Sequence, residues 1–186
     1  MKALVSIITV NYNGLRDTCE MIDSFRNHET YPHYEIIVVD NGSRLPEAEE
    51  IQERYRGNLV PGGSLSGSPA SDNPVPFPPV KVVRNINNGF AGGNNAGLKT
   101  AGGDYLFFIN NDTLIKEPVL EALVRRMECD PQRNGGVSPM LKFAACPDIL
   151  QYAGFTPLSS LTLRNASIGF MQQDGPRFRT PCETAS

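Results

Sequence analysis

The chain has 186 residues, enough for about one domain whose core needs no disulfide or metal staple. Its 17 Lys and Arg against 20 Asp and Glu leave a formal charge of −3, which excludes a nucleic-acid binder working through a basic surface. Hydrophobic residues at 40% and charged residues at 20% exclude a disordered, highly charged chain, so the 17 glycines and 15 prolines must collect in particular places.

Leu4 to Val10 (LVSIITV) predicts a first strand, continuously apolar as strands covered on both faces are. The run is too short, and too broken by Ser6 and Thr9, for a signal peptide. Asn11-Tyr12-Asn13-Gly14 reads as a turn, and Cys19, Ile22 and Phe25 then repeat at helical spacing over about 17–27. Glu35 to Val39 (EIIVV) is a second buried strand, closed by Asp40-Asn41-Gly42-Ser43. Pro46 opens a polar helix running to about Arg56.

Residues 57–79 (GNLVPGGSLSGSPASDNPVPFPP) gather glycine, proline and serine without a period, and predict a flexible insertion. Val80 to Val83 is a short third strand. Gly89 to Asn95 reads as a glycine-rich turn leading into a helix over about 94–100. Tyr105 to Ile109 is the fourth strand, ending in Asn110-Asn111-Asp112-Thr113, and Pro118 starts an amphipathic helix bearing Val119, Leu120, Leu123, Val124 and Met127.

Strands alternating with helices define an α/β domain on a mostly parallel sheet. Right-handed crossovers place the carboxyl ends of such strands on one rim, where open α/β sheets bind ligands. The Asn, Asp and Gly clusters all fall there. The usual phosphate loops do not: the sequence has neither GxGxxG after the first strand nor GxxxxGK[ST], and no GxSxG elbow. Cys19, Cys129, Cys146 and Cys182 form no CxxC pair, and with only His28 and His33 beside them they read as reduced, cytosolic thiols. No stretch approaches the 18 apolar residues of a membrane span.

Asp40 and Asp112 are the two strand-end carboxylates of this rim. Asp40 reads equally as a turn residue or as part of a site. Asp112 lies about five residues before the expected helix cap near Lys116 or Glu117, and so lacks a structural duty. A carboxylate in that position suits a hard divalent cation that takes its other ligands from phosphate and water.

Four segments in order, Ser6 to Asn13, Ile37 to Ser43, Asn88 to Gly97 and Gly103 to Asp112, resemble the nucleotide-binding half of a family 2 glycosyltransferase of GT-A fold, a Rossmann-like mostly parallel sheet flanked by helices. GFAGGNN resembles the rhamnosyltransferase-like enzymes of cell-surface polysaccharide assembly. The likeness extends loosely through Phe155, so 1–186 reads as a single domain, incomplete at its C-terminus and interrupted by 57–79.

The resemblance implies that Thr9, Val10, Asn11, Tyr12, Asn13, Asp40 and Asn41 hold the base and ribose of a pyrimidine nucleotide-sugar, dTDP- or UDP-linked. Gly89, Phe90, Gly92, Asn94 and Asn95 would approach the nucleotide and sugar-phosphate, a missing Cβ permitting close contact. The same glycines also fit a tight turn with close helix packing. Asn110, Asn111 and Asp112 match the family's DxD-type position with Asn for the first Asp, and Asp112 would hold Mg²⁺ or Mn²⁺. Inverting transfer to a saccharide or lipid-linked acceptor also needs a carboxylate base. Glu117, Glu121, Glu128, Asp130, Asp148, Asp174 and Glu183 include no adjacent acidic pair, so the base is expected beyond Ser186.

The chain thus reads as the N-terminal portion of a longer cytoplasmic enzyme, self-associating through an edge left uncovered and compatible with peripheral membrane association at full length. A nucleotide-sugar-binding module without turnover is the alternative. A sugar-phosphate nucleotidyltransferase is a third reading, disfavoured because Asn11 to Gly14 lacks that class's arginine-containing glycine loop.

Overall fold

The computed structural model describes residues 2–56 and 78–180. The expected insertion at 57–79 lies almost wholly outside them. Two compact units divide the chain, Met1–Val124 and Arg125–Ser186.

The first unit contains β1 (Val5–Asn11), α1 (Leu15–His28), β2 (Tyr34–Asp40), α2 (Glu47–Arg54), β3 (Val80–Arg84), α3 (Gly89–Leu98) and β4 (Tyr105–Phe108). The helix α4 (Leu120–Cys129) crosses the boundary between the units. The sheet order is β3-β2-β1-β4, with every pair parallel. Central strands need both faces covered, and β1 and β2 show it: Ile7, Ile8 and Ile36 to Val39 are fully buried.

The sheet faces are unequal. Val5, Ile7, Ile36 and Val38 pack with Cys19, Met21, Ile22 and Phe25 of α1, Ile51 of α2, and Leu120 and Val124 of α4. The opposite face is a smaller cluster of Ile8, Ile37 and Val39 under Ala96 of α3. Here the sequence reading is corrected, because Gly89 to Asn95 is helical and forms the first two turns of α3. Tertiary packing overrides the poor helix propensity of glycine. A Cβ on Gly97 would lie 2.6 Å from Ile8 Cγ2, and one on Gly93 would lie 2.9 Å from Val10 Cγ1. These glycines let the helix axis approach the sheet.

Two carboxylates tie elements together away from the rim. Glu29, just past α1, accepts the Val119 and Leu120 amides at 3.0 and 3.1 Å and so caps α4 across 90 residues of sequence. That helix starts at Leu120, two residues later than Pro118 suggests. Glu35 accepts Ser6 Oγ–H at 2.6 Å and the Gly102 amide at 2.9 Å, and pairs with Lys81 Nζ at 2.6 Å. Burial pushes its pKa up, but Lys81, Ser6 and Gly102 together outweigh that and hold the carboxyl below its ordinary range.

The second unit contains the antiparallel pair β5 (Leu141–Phe143) and β6 (Cys146–Tyr152) and a 3₁₀ turn at Pro176–Phe178. Leu150 is fully buried there, and Asp174 joins Lys142 and Arg179 at 2.8 and 2.6 Å. Among the described residues no helix is long and apolar enough to cross a membrane.

Candidate functional site

Parallel pairing puts the exits of β1, β2, β3 and β4 on one rim, as the sequence implies. The ladder continues past the strands: the Asn41 amide donates to Asn11 O at 2.8 Å, and the Asn85 amide to Asp40 O at 2.9 Å. The Ile109 amide donates to Ile8 O at 3.0 Å. Register therefore fixes where each exit loop begins.

Beneath the rim lies a buried polar network centred on Asn11. Thr18 Oγ–H donates to Asn11 Oδ1 at 2.8 Å, which fixes the orientation of that amide. Asn11 Nδ2 then donates to Glu47 Oε2 at 2.8 Å and to Asp40 Oδ1 at 3.0 Å. The Ser43 hydroxyl donates to Asp40, and accepts the Asn13 amide at 2.9 Å. Glu47 Oε2 also accepts the Gly14 amide at 3.1 Å. Asp40 and Glu47 are 7% and 6% exposed and have no cationic partner among the described residues. Neutral N–H and O–H donors, and the amino end of α2 where Glu47 sits, stabilise them instead.

A second set of amides joins β2 to α3. Asn85 Nδ2 donates to Asn41 Oδ1 at 2.8 Å, and Asn41 Nδ2 donates to Gly89 O at 3.2 Å. Gly89 has φ of +85°, which only glycine adopts without strain, so the chain can turn into α3 at that point. Within the helix, Asn94 Nδ2 donates to Phe90 O at 3.0 Å.

The sequence-named residues thus fall into two layers. Thr9, Asn11, Asp40 and Asn41 are buried in or just below the rim, and Val10 packs against Gly93. Tyr12, Asn13, Phe90, Asn95, Asn110 and Asp112 are exposed, with Gly92, Asn94 and Asn111 half-buried. Thr9 Oγ1 is buried without a hydrogen-bond partner among the described residues. Asn111 is turned inward, its Nδ2 donating to Thr18 Oγ1 at 3.0 Å. Asp112 has no partner among the described residues, and nowhere among them do three His, Cys, Asp or Glu side chains converge.

Thr18, Ser43 and Glu47 were not named as site residues by sequence. Glu47 stands in a run with Glu49 and Glu50 at the start of a polar helix, where nothing in the residue pattern singles it out. Its one signal is its place directly after Pro46.

The parallel α/β sheet is of GT-A type, and among the described residues its rim carries amides, two buried carboxylates and one unpartnered strand-end carboxylate. The family model for "Glycosyl transferase family 2" matches residues 6–140, and the chain belongs to that family. It is similar to an uncharacterized glycosyltransferase of Haemophilus influenzae, 26% identical over 132 residues, covering 70% of this chain and 37% of that protein. The chain thus spans little more than a third of the length of that curated relative. Among solved structures, S. aureus TarS 1-349 in complex with UDP-GlcNAc is 20% identical at a TM-score of 0.52, covering 75% of this chain and 38% of that one. The mannosyltransferase PcManGT from Pyrobaculum calidifontis, in complex with GDP-Man and Mn²⁺, is 18% identical at 0.50, covering 72% and 34%. Both likenesses concern the fold.

Proposed function

We propose that this chain binds the donor of an inverting glycosyl transfer, a pyrimidine nucleotide-sugar carried as UDP or dTDP, and that a divalent cation at Asp112 accompanies it. One observation carries the reading: Asp112 is exposed at the exit of β4 with no partner among the described residues, while Asn11 is bonded to Asp40, Asn41 to Gly89 and Asn111 to Thr18. A lone carboxylate with Asn110 beside it fits a hard cation whose remaining ligands are diphosphate oxygens and water. When bound, such an ion offsets the charge that grows on the leaving diphosphate.

The chain's own groups bind and orient. Tyr12 and Asn13 present the exposed β1 exit to the nucleoside. Phe90, Gly92, Asn94 and Asn95 line the start of α3, where Gly89 opens the turn. The amino end of α3 offers first-turn N–H groups to a phosphate or sugar. The TarS complex with UDP-GlcNAc supports the pyrimidine choice, and the Mn²⁺ complex of PcManGT supports the cation. The acceptor in this reading is a saccharide or lipid-linked saccharide of cell-surface polysaccharide, glycosylated on the cytoplasmic side. None of the described acids is assigned to removing the acceptor proton.

Calorimetric titration with UDP, dTDP, GDP and ADP, each with and without Mn²⁺, tests the proposal. Pyrimidine diphosphates are expected to bind only with the metal, and Asp112→Ala is expected to weaken that metal-dependent binding while the circular dichroism spectrum is unchanged. Equal affinity for all four nucleotides would refute the pyrimidine assignment.

A further inference from the structure

The buried carboxylate of Glu47 has a job that α2 does not explain. An acid at the start of a helix ordinarily accepts N–H groups of its own first turn. Glu47 Oε2 accepts instead from Asn11 Nδ2 at 2.8 Å and the Gly14 amide at 3.1 Å, both outside α2, with the Ser43 hydroxyl that donates to Asp40 lying 3.2 Å away. Both donors belong to the exit of β1. From Asn11 the chain of bonds goes on through Thr18 Oγ1 to Asn111 Nδ2, at 2.8 and 3.0 Å. Asn111 Nδ2 fills the space that a side chain on Gly14 would need, 2.7 Å from where its Cβ would sit.

We propose that Glu47 is a positioning residue of the donor site, and that the relay Glu47–Asn11–Thr18–Asn111 sets the exits of β1 and β4 in one geometry. Every link has a fixed direction. Asn111 donates to Thr18, Thr18 donates to Asn11, and Asn11 donates to the carboxylates, so no amide in the relay can flip without losing a bond. The exit of β1 carries Tyr12 and Asn13, and the exit of β4 carries Asn110 and Asp112. Under the donor-binding reading on which this inference rests, the first pair faces the nucleoside and the second the diphosphate and its cation. Their spacing has to match one ligand, and Glu47 anchors the β1 side of it from the first residue of α2.

Only Oε2 carries these bonds, so glutamine can place its carbonyl oxygen there and accept the same donors. Glu47→Ala cannot, and leaves the Gly14 amide without its acceptor. With Mn²⁺ present, Glu47→Ala is expected to weaken UDP binding about tenfold or more, and Glu47→Gln by less than about threefold. Amide hydrogen exchange in the absence of nucleotide is expected to accelerate at 12–14 and also at 110–113 in Glu47→Ala. Thr18→Val, which cuts the relay in its middle, is expected to accelerate 110–113 while leaving Gly14 protected.

Glu35→Gln is the control, a buried carboxylate at the opposite ends of the strands. It is expected to lower the unfolding midpoint with UDP affinity unchanged. Unaltered UDP affinity in a folded Glu47→Ala, or equal losses in the Glu35 and Glu47 variants, would overturn the positioning role. Faster exchange confined to 12–14 would overturn the relay. Should the wild-type chain bind no nucleoside diphosphate, the donor reading fails by itself, and the exchange data alone then decide for or against the relay.

Discussion

Replacing Gly97 by alanine tests the seating of α3, with a sign that depends on the packing. In an exposed helix the change stabilises by about 1 kcal/mol, because alanine is the better helix former. Here the new Cβ would lie 2.6 Å from Ile8 Cγ2 and 3.1 Å from Val39 Cγ2, both on fully buried side chains of the central strands. Carbon contacts relax to 3.5–4.0 Å, so α3 must lift by ~1 Å or Ile8 must leave its rotamer. Overpacking of that kind costs about 1–3 kcal/mol, against a propensity gain of about 1. The net expectation is a loss of about 1 kcal/mol, or ~2–4 °C in unfolding midpoint for a chain of this size. Urea and thermal unfolding followed by far-ultraviolet circular dichroism measure it. A variant more stable than the parent would show that Gly97 does not seat α3 on β1 and β2.

The Glu35 carboxyl is held below its ordinary range when folded, so its stabilisation is present above the unfolded pKa and fades as pH falls through the folded one. Lys81→Met is expected to cost about 1–2 kcal/mol near neutrality, discounted for the half-exposed lysine, and to move acid unfolding to higher pH. Coincident acid midpoints for the two proteins would contradict that. Glu29→Ala removes the acceptor of the Val119 and Leu120 amides and is expected to cost about 1–2 kcal/mol, with hydrogen exchange accelerated at those two positions first. Uniform acceleration along the chain would argue for general destabilisation instead.

The strands and most helices were legible because their signals are local. The apolar runs ILE-rich in β1 and β2 can only be strands covered on both sides, and all four expected strands stand in the first unit. The rim followed from topology. What escaped were features decided by distant partners. α3 begins at Gly89 because Gly93 and Gly97 fit against Val10 and Ile8, and neither fit is visible within GFAGGNN itself. Glu29 caps a helix whose start lies 90 residues away, where residue spacing near Pro118 pointed to a local cap. Glu47 resembles its neighbours Glu49 and Glu50 until its side chain is seen to face Asn11 rather than solvent. Asn111 shares a motif with Asn110 and Asp112 but turns the other way, toward Thr18.

The strand order β3-β2-β1-β4 also bears on how the chain is made. β1 is synthesised first, yet its second neighbour, β4, follows about 100 residues later, the interval spanned by the bond from the Leu4 amide to Asp104. At a ribosome's rate of about 5–20 residues per second, that gap lasts roughly 5–20 s. Throughout it, the edge of β1 from Val5 to Ile8 has unmet N–H and C=O groups beside some of the most apolar side chains in the protein. The nascent β1–β2 pair is therefore the segment most in need of shielding during synthesis, and slow codons between residues 40 and 105 are expected to lower the soluble yield.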